Sequence, residues 1–193
     1  MQVRSRENIK NHGEVFTPDH IVLKMMDLIP ESAWRDPEFV FLEPTCGSGN
    51  FLVRILGRRV DSGIHIETAM NTMIGMDISQ LNIFESHQRL YSIVADYMRN
   101  HNIAPQSKRW FQCAIRAVAI VSNNIFVVDD SLKYIREQRL KKKRFFFKDP
   151  TGKGQVLDTA EQQAILSQIH KRMLRYKKDR TINEPFAPFF EET

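Results

Sequence analysis

Residues Glu43-Pro-Thr-Cys-Gly-Ser-Gly-Asn-Phe51 concentrate the chemistry of this chain. A turn built on Gly47 and Gly49 brings backbone N–H groups against a ligand with no Cβ in the way. The helix that resumes at Phe51 adds the unpaired N–H groups of its first turn. Glu43, beneath the turn, is a carboxylate acceptor for an ammonium, directly or through water. Two further acids, Asp77 and Asp130, follow apolar runs that read as strands. A carboxylate at a strand end is a strong acceptor for hydroxyl or amine hydrogens. Ile78, next to Asp77, is placed to pack on a flat ring. The plainer alternatives stay open: a glycine turn that only tightens a corner, and acids that only cap helices. Cys46 reads as a small filler of the turn, since no His shares its motif. The six histidines show no ligand spacing, so no metal site is expected.

These residues need elements to carry them. Thr17 as cap and Pro18 at the first helical position predict a helix with Ile21, Val22, Met25, Leu28 and Ile29 on one face, stopped by Pro30. The run from Phe39 to Glu43 reads as a first strand, and Phe51 to Leu56 resumes a helical pattern. The run Met73 to Ile78, with Asp77 as its acid, predicts a second strand. Leu81, Phe84, Tyr91, Val94 and Met98 form an amphipathic helix ended by Pro105, and Trp110 to Val121 a more apolar one. Asn124 to Val128 is the third strand candidate, ending in Asp129 and Asp130. Strands alternating with helices imply βαβ units and a doubly wound parallel sheet. Near the end, Thr159 and Gln162 suggest a capping box for a helix carrying Ile165, Leu166, Ile169, Met173 and Leu174. The division expected is a core over residues 1–140 and a basic helical extension over 141–193, packed on that core rather than independent.

Composition narrows the classes. The chain has 193 residues, 42% hydrophobic and 26% charged, as soluble domains do. No apolar run reaches bilayer length and the N-terminus has no signal-peptide core, so no membrane role is expected. Two cysteines are too few for a disulfide framework, which suggests a reducing, cytoplasmic setting. The net charge of +5 is uneven. Lys133 to Arg180 holds fifteen Lys or Arg against five Asp or Glu, whereas the remainder has thirteen against eighteen. A basic third on an acidic body suggests phosphates, hence DNA, as partner; a merely solvated helix face is the alternative. The candidate contacts are Lys141, Lys142, Lys143, Arg144, Lys171, Arg172, Arg175 and Lys178.

The string from Phe41 to Leu52 resembles motif I of the amino-group DNA methyltransferases, the N-6 DNA methylases. Gly13-Glu-Val-Phe-Thr-Pro18 resembles the motif that precedes it in the gamma arrangement, Asp77 the motif II acid, and Asp130 in Val128-Asp-Asp-Ser-Leu132 the motif III acid. The resemblance covers about residues 11 to 132. It implies a Rossmann-like, S-adenosyl-L-methionine-dependent methyltransferase fold, here with an abbreviated sheet. The implied cofactor residues are Phe16, Thr17, Pro18, Glu43, Pro44, Cys46, Gly47, Gly49, Phe51, Asp77, Ile78, Asp130 and Ser131, with Asp77 on the ribose and Asp130 on the adenine amine.

One departure is large. The family holds its target amine with Asn, Asp or Ser followed by Pro-Pro and an aromatic, whose ring stacks on a flipped base. This chain has no Pro-Pro. The nearest remnants are Phe147-Lys-Asp-Pro-Thr151 and Asn183-Glu-Pro-Phe186, so Asn183, Pro185 and Phe186 are the catalytic candidates, ranked below the plain alternative of a proline-rich tail with no catalytic role. Two readings follow. In one, the chain is a compact or split adenine-N6 methyltransferase, with a second subunit or a homodimeric copy supplying what is missing. In the other, it is an inactive homologue serving as a DNA-binding, regulatory or decoy subunit in a phage or restriction context. Methylation of another amine, such as a protein side chain, ranks below both.

Overall fold

The computed structural model describes residues 17–140, 160–179 and 186–190. Three short parallel strands lie in the order β1 (Phe41–Glu43), β2 (Met73–Asp77) and β3 (Ile125–Val127). Phe41 pairs with Met73, Glu43 with Gly75 and Asp77 with Val127, so the acid ends of β1 and β2 lie at one edge of the sheet. β2 is buried along its apolar length, as the central strand of a covered parallel sheet should be.

The first helix differs from its sequence reading. α1 runs Asp19–Met26, and Pro18 stands before it in an extended conformation, giving no side-chain cap. The start therefore falls one residue later than a Thr17 cap requires, and the Thr17 carbonyl turns to another partner described below. Val22 and Met26 are buried, with Ile29 partly so. Ile21, Leu23, Met25 and Leu28 face outward, because the buried stripe follows an i, i+4, i+7 spacing from Val22. Pro30 begins a further helix as well as limiting the first: α2 is Glu31–Arg35 and buries Ala33 and Trp34.

α3 (Asn50–Asp61) leaves the glycine turn and buries Leu52, Ile55 and Leu56. α4 (Ile66–Asn71) is a short buried helix without a sequence signal strong enough to expect it. α5 (Gln80–Asn100) is capped by the Ser79 hydroxyl and α6 (Lys108–Asn124) by that of Ser107. Ile83, Leu90, Tyr91, Val94 and Met98 form the inner face of α5, whereas Leu81 is 77% exposed. α7 (Ser131–Leu140) follows β3 directly.

α8 (Ala160–Lys178) packs on α6, and the 3-10 turn Ala187–Phe189 packs on α5. Ile169, Met173 and Tyr176 are buried with Phe186, Phe189 and Phe190. The Phe189 ring lies 5.3 Å from Tyr91, and Phe190 lies 5.2 Å from Trp110. Leu174, expected on the apolar face, is exposed, and Tyr176 takes the inward place two residues on. Thr159, the expected cap, lies outside the described residues. β1 is at one end of the strand order, and no described strand pairs with its outer edge.

Candidate functional site

The site lies where β1, β2 and β3 end. The loop leaving β1 is first fastened to β2: the Cys46 N–H donates to the Met76 carbonyl at 2.8 Å. The next N–H, of Gly47, donates to Asp77 Oδ2 at 2.9 Å. The other oxygen of that carboxylate accepts from the Ser79 N–H at 2.8 Å and from Asn82 Nδ2 at 3.1 Å. Asp77 therefore links the glycine turn, the end of β2 and the start of α5. The cap of α5 is Ser79, not Asp77, which answers one of the plainer alternatives.

Both glycines need their residue type. Gly47 has φ +53 and Gly49 φ +87, in the left-handed region that other residues enter at a cost. A Cβ on Gly49 would stand 2.9 Å from Ser86 Cβ on α5, so the turn is pressed against that helix. A Cβ on Gly47 would meet nothing within 4 Å. One glycine permits close packing, and the other leaves space above the turn. Gly49 also occupies the cap position of α3 and brings no side chain to its first-turn N–H groups.

The turn has side-chain supports that sequence reasoning missed. Arg89 on α5 donates from Nη1 to the Ser48 carbonyl at 2.8 Å and to Asn50 Oδ1 at 2.7 Å. Asn50 Nδ2 then donates to the Thr17 carbonyl at 3.2 Å. Asn50 was visible inside the motif, but nothing in the sequence marks Arg89, which acts on residues about forty positions away.

Glu43 ends β1, where Thr45 gives it two long bonds, 3.4 Å from N–H and 3.5 Å from the hydroxyl. Burial raises its carboxyl above the usual range, and the Thr45 contacts oppose that. The Cys46 thiol is pushed far up by burial and then by the charges of Asp77 and Glu43, so both acids bear on one small space. A thiol so raised stays protonated at neutral pH, as a filler and not a nucleophile would. Ser131 Oγ donates to the Pro44 carbonyl at 2.5 Å, joining the head of α7 to the loop after β1. Asp130 Oδ1 accepts from the Lys133 N–H at 2.9 Å and caps α7. Here the capping alternative describes the geometry, with the second carboxylate oxygen left as further acceptor capacity. Ile78 is 57% exposed just past β2, and Phe51 is half-buried against the core.

Pro18 is exposed at the head of α1. Phe16, Lys141, Lys142, Lys143, Arg144, Asn183 and Pro185 lie outside the described residues. Phe186 is placed, and not as a base-stacking ring: it is 1% exposed, with the Arg172 guanidinium 5.4 Å from its centroid. A ring so enclosed has no face for a base in this conformation. Lys171, Arg172, Arg175 and Lys178 lie exposed on α8. Among the described residues, no group of three His, Cys, Asp or Glu is placed to hold a metal ion. No described helix is long and apolar enough to cross a membrane.

The residues present suit a sulfonium nucleoside with an amino-acid end: open space over Gly47, an uncapped helix start, acids at the strand ends and an exposed apolar side chain beside Asp77. A family model described as N-6 DNA Methylase matches residues 1–154. No curated protein and no solved structure matches the chain. Since that match takes in most of the sequence, with the glycine turn and both strand-end acids inside it, the chain belongs to the N-6 DNA methylase family.

Proposed function

We propose that this chain holds S-adenosyl-L-methionine over its glycine turn as the cofactor-binding part of a DNA adenine-N6 methyltransferase whose target-base motif comes from a second subunit. The observation that carries the reading is the Gly47 position. Its N–H is tied to Asp77, while the space where a Cβ would stand is empty. The three parallel strands are then one half of a doubly wound, Rossmann-like sheet.

Bound there, S-adenosyl-L-methionine supplies an electrophilic methyl group. Glu43 faces the ammonium of its amino-acid end, and the turn from Pro44 through Cys46, Gly47 and Gly49 to Phe51 forms the wall. Phe16, Thr17 and Pro18 flank the same end. Asp77 keeps one acceptor site, on Oδ2, for a ribose hydroxyl, since each carboxylate oxygen has two lone-pair sites and Oδ1 already accepts twice. Ile78 packs on the purine, while Asp130 and Ser131 lie at its amine. The exposed cations of α8, together with Lys141, Lys142, Lys143 and Arg144, meet DNA phosphates. A restriction-modification setting in the cytoplasm is what this reading implies.

The second subunit is invoked because Pro-Pro is missing and Phe186 is enclosed. The same observations favour one rival, an inactive homologue that binds DNA or regulates a complete enzyme. Two measurements on the purified chain test the proposal: titration calorimetry with S-adenosyl-L-methionine, and transfer of labelled methyl to DNA followed by an adenine-specific digest. Binding that Asp77→Asn weakens, with no label transferred by the chain alone, is expected. Absence of binding overturns the cofactor reading. Label transferred by the chain alone removes the need for a second subunit, and loss of that label in Asn183→Ala would return the role to the C-terminal tail.

A further inference from the structure

We infer that Arg89 is a positioning residue for the cofactor pocket, holding the peptide between Ser48 and Gly49 in one orientation and coupling it to the segment at Thr17. The inference rests on the cofactor reading above, yet its structural half stands without any ligand. The Ser48–Gly49 peptide runs from a buried serine into a glycine with positive φ, Gly49 at +87, with Gly47 at +53 one residue before it. Turning that peptide over changes ψ of Ser48 and φ of Gly49, and glycine crosses between left- and right-handed regions at little cost, so Gly49 does not resist the turn and something else must hold it.

Arg89 holds it. Its Nη1 donates to the Ser48 carbonyl at 2.8 Å, within 3.5 Å of the Ser48 hydroxyl, and to Asn50 Oδ1 at 2.7 Å. The other end of the same peptide plane is set by the Gly49 N–H, which donates to the Cys46 carbonyl at 2.9 Å. Ser48 and Asn50 are both buried, so their oxygens have little water to replace the guanidinium. With the carbonyl bonded toward α5, its negative end is kept from the amino-acid end of the ligand.

The coupling runs one step further. Asn50 accepts from Arg89 through Oδ1 and donates to the Thr17 carbonyl through Nδ2 at 3.2 Å. One cation thereby fixes the amide orientation of Asn50 and, through it, the segment entering α1. Ser86, one turn earlier on α5, is the residue against which Gly49 packs. α5 thus supports the turn at two points on one face, by close contact at Ser86 and by charge at Arg89. Arg89 touches no reacting atom here, and its effect is transmitted through Ser48 and Asn50.

The test compares the full chain with Arg89→Met, which keeps the alkyl stem, and Arg89→Lys, which keeps the charge. Affinity for S-adenosyl-L-methionine and for free adenosine is measured by calorimetry. Amide hydrogen exchange in the ligand-free proteins is followed at Ser48 and Gly49, with Ile74 on β2 as reference. Arg89→Met is expected to weaken S-adenosyl-L-methionine about tenfold or more while adenosine, held at Asp77, Ile78 and Asp130, changes less than about twofold. Exchange at Gly49 should rise about tenfold with Ile74 unchanged, and Arg89→Lys should recover most of both effects. Equal loss of both ligands with exchange raised throughout would show a structural residue only and overturn the inference. Unchanged exchange at Ser48 and Gly49 overturns it as well. A wild-type chain that binds neither ligand fails the cofactor reading alone, since the exchange comparison still decides what Arg89 does.

Discussion

Gly47 and Gly49 sit two residues apart in one turn, and substituting them should have different consequences. At Gly49 an alanine meets an unfavourable φ and a methyl 2.9 Å from Ser86 Cβ, so Gly49→Ala should lower unfolding free energy by about 3 kcal/mol. At Gly47 only the backbone penalty applies, about 1 kcal/mol, because the added methyl meets open space. Its expected effect is on ligand affinity, where the methyl enters the space assigned to the cofactor. Urea titrations and calorimetry on the two variants check this; equal stability losses would remove the distinction. The spacing of these glycines was legible because residue type alone reports tolerance of positive φ. Asp77 was legible as a strand-end acid, but its hold on the Gly47 N–H was not. Arg89 was invisible, since its partners Ser48 and Asn50 are brought to it only by the crossing of α3 and α5.

At the scale of elements, the strands and long helices followed from apolar runs and punctuation, while the smaller pieces depended on tertiary contacts. α2 exists because its Trp34 stacks on Phe41, with centroids 4.9 Å apart, and because buried Arg59 binds the carbonyls of Ala33, Asp36 and Phe39. No local propensity announces that arrangement. The outward apolar residues of α1 were equally unreadable: periodicity put Ile21, Val22, Met25, Leu28 and Ile29 on one face, and packing on α3 instead buries Val22 and Met26. One junction carries a pH dependence. His87 on α5 bonds through Nε2 to the Ile125 carbonyl at 2.8 Å, at the start of β3. Burial lowers its pKa below the ordinary 6.5, partly opposed by that bond. The folded state therefore favours the neutral ring, and below the ordinary value the unfolded chain takes up the proton more readily. The stabilisation is present above that value and is lost as pH falls through it toward the folded pKa. Urea stability measured from pH 8 to pH 5 should fall across this window, and His87→Gln, which keeps a donor for Ile125, should flatten the fall. A variant with the wild-type slope would assign the dependence elsewhere.

For the molecule as a whole, the basic third of the sequence comes to rest partly on α8, whose inner face packs on α6 and whose outer face bears Lys171, Arg172, Arg175 and Lys178. Charge imbalance in the sequence suggested a phosphate partner, and the helical spacing told which residues share a face. It could not show that Arg172 lies over the Phe186 ring, so a DNA test should leave that cation in place. With Arg175→Ala and Lys178→Ala combined, the slope of log affinity against log salt should become shallower by about 2, with similar loss on every DNA sequence. An unchanged slope measured by fluorescence anisotropy would assign these charges to solvent.

The strand order has a kinetic corollary. Each neighbouring pair encloses two helices, α3 and α4 between β1 and β2, α5 and α6 between β2 and β3, and none is a hairpin. No strand pair can then nucleate on its own, because parallel neighbours require the intervening crossover to collapse first. Asp77 meets the Gly47 N–H only once the α3 and α4 crossover has brought β1 beside β2. The acid cluster therefore forms no earlier than the docking of these helices, and side chains that speed that docking set when it first exists.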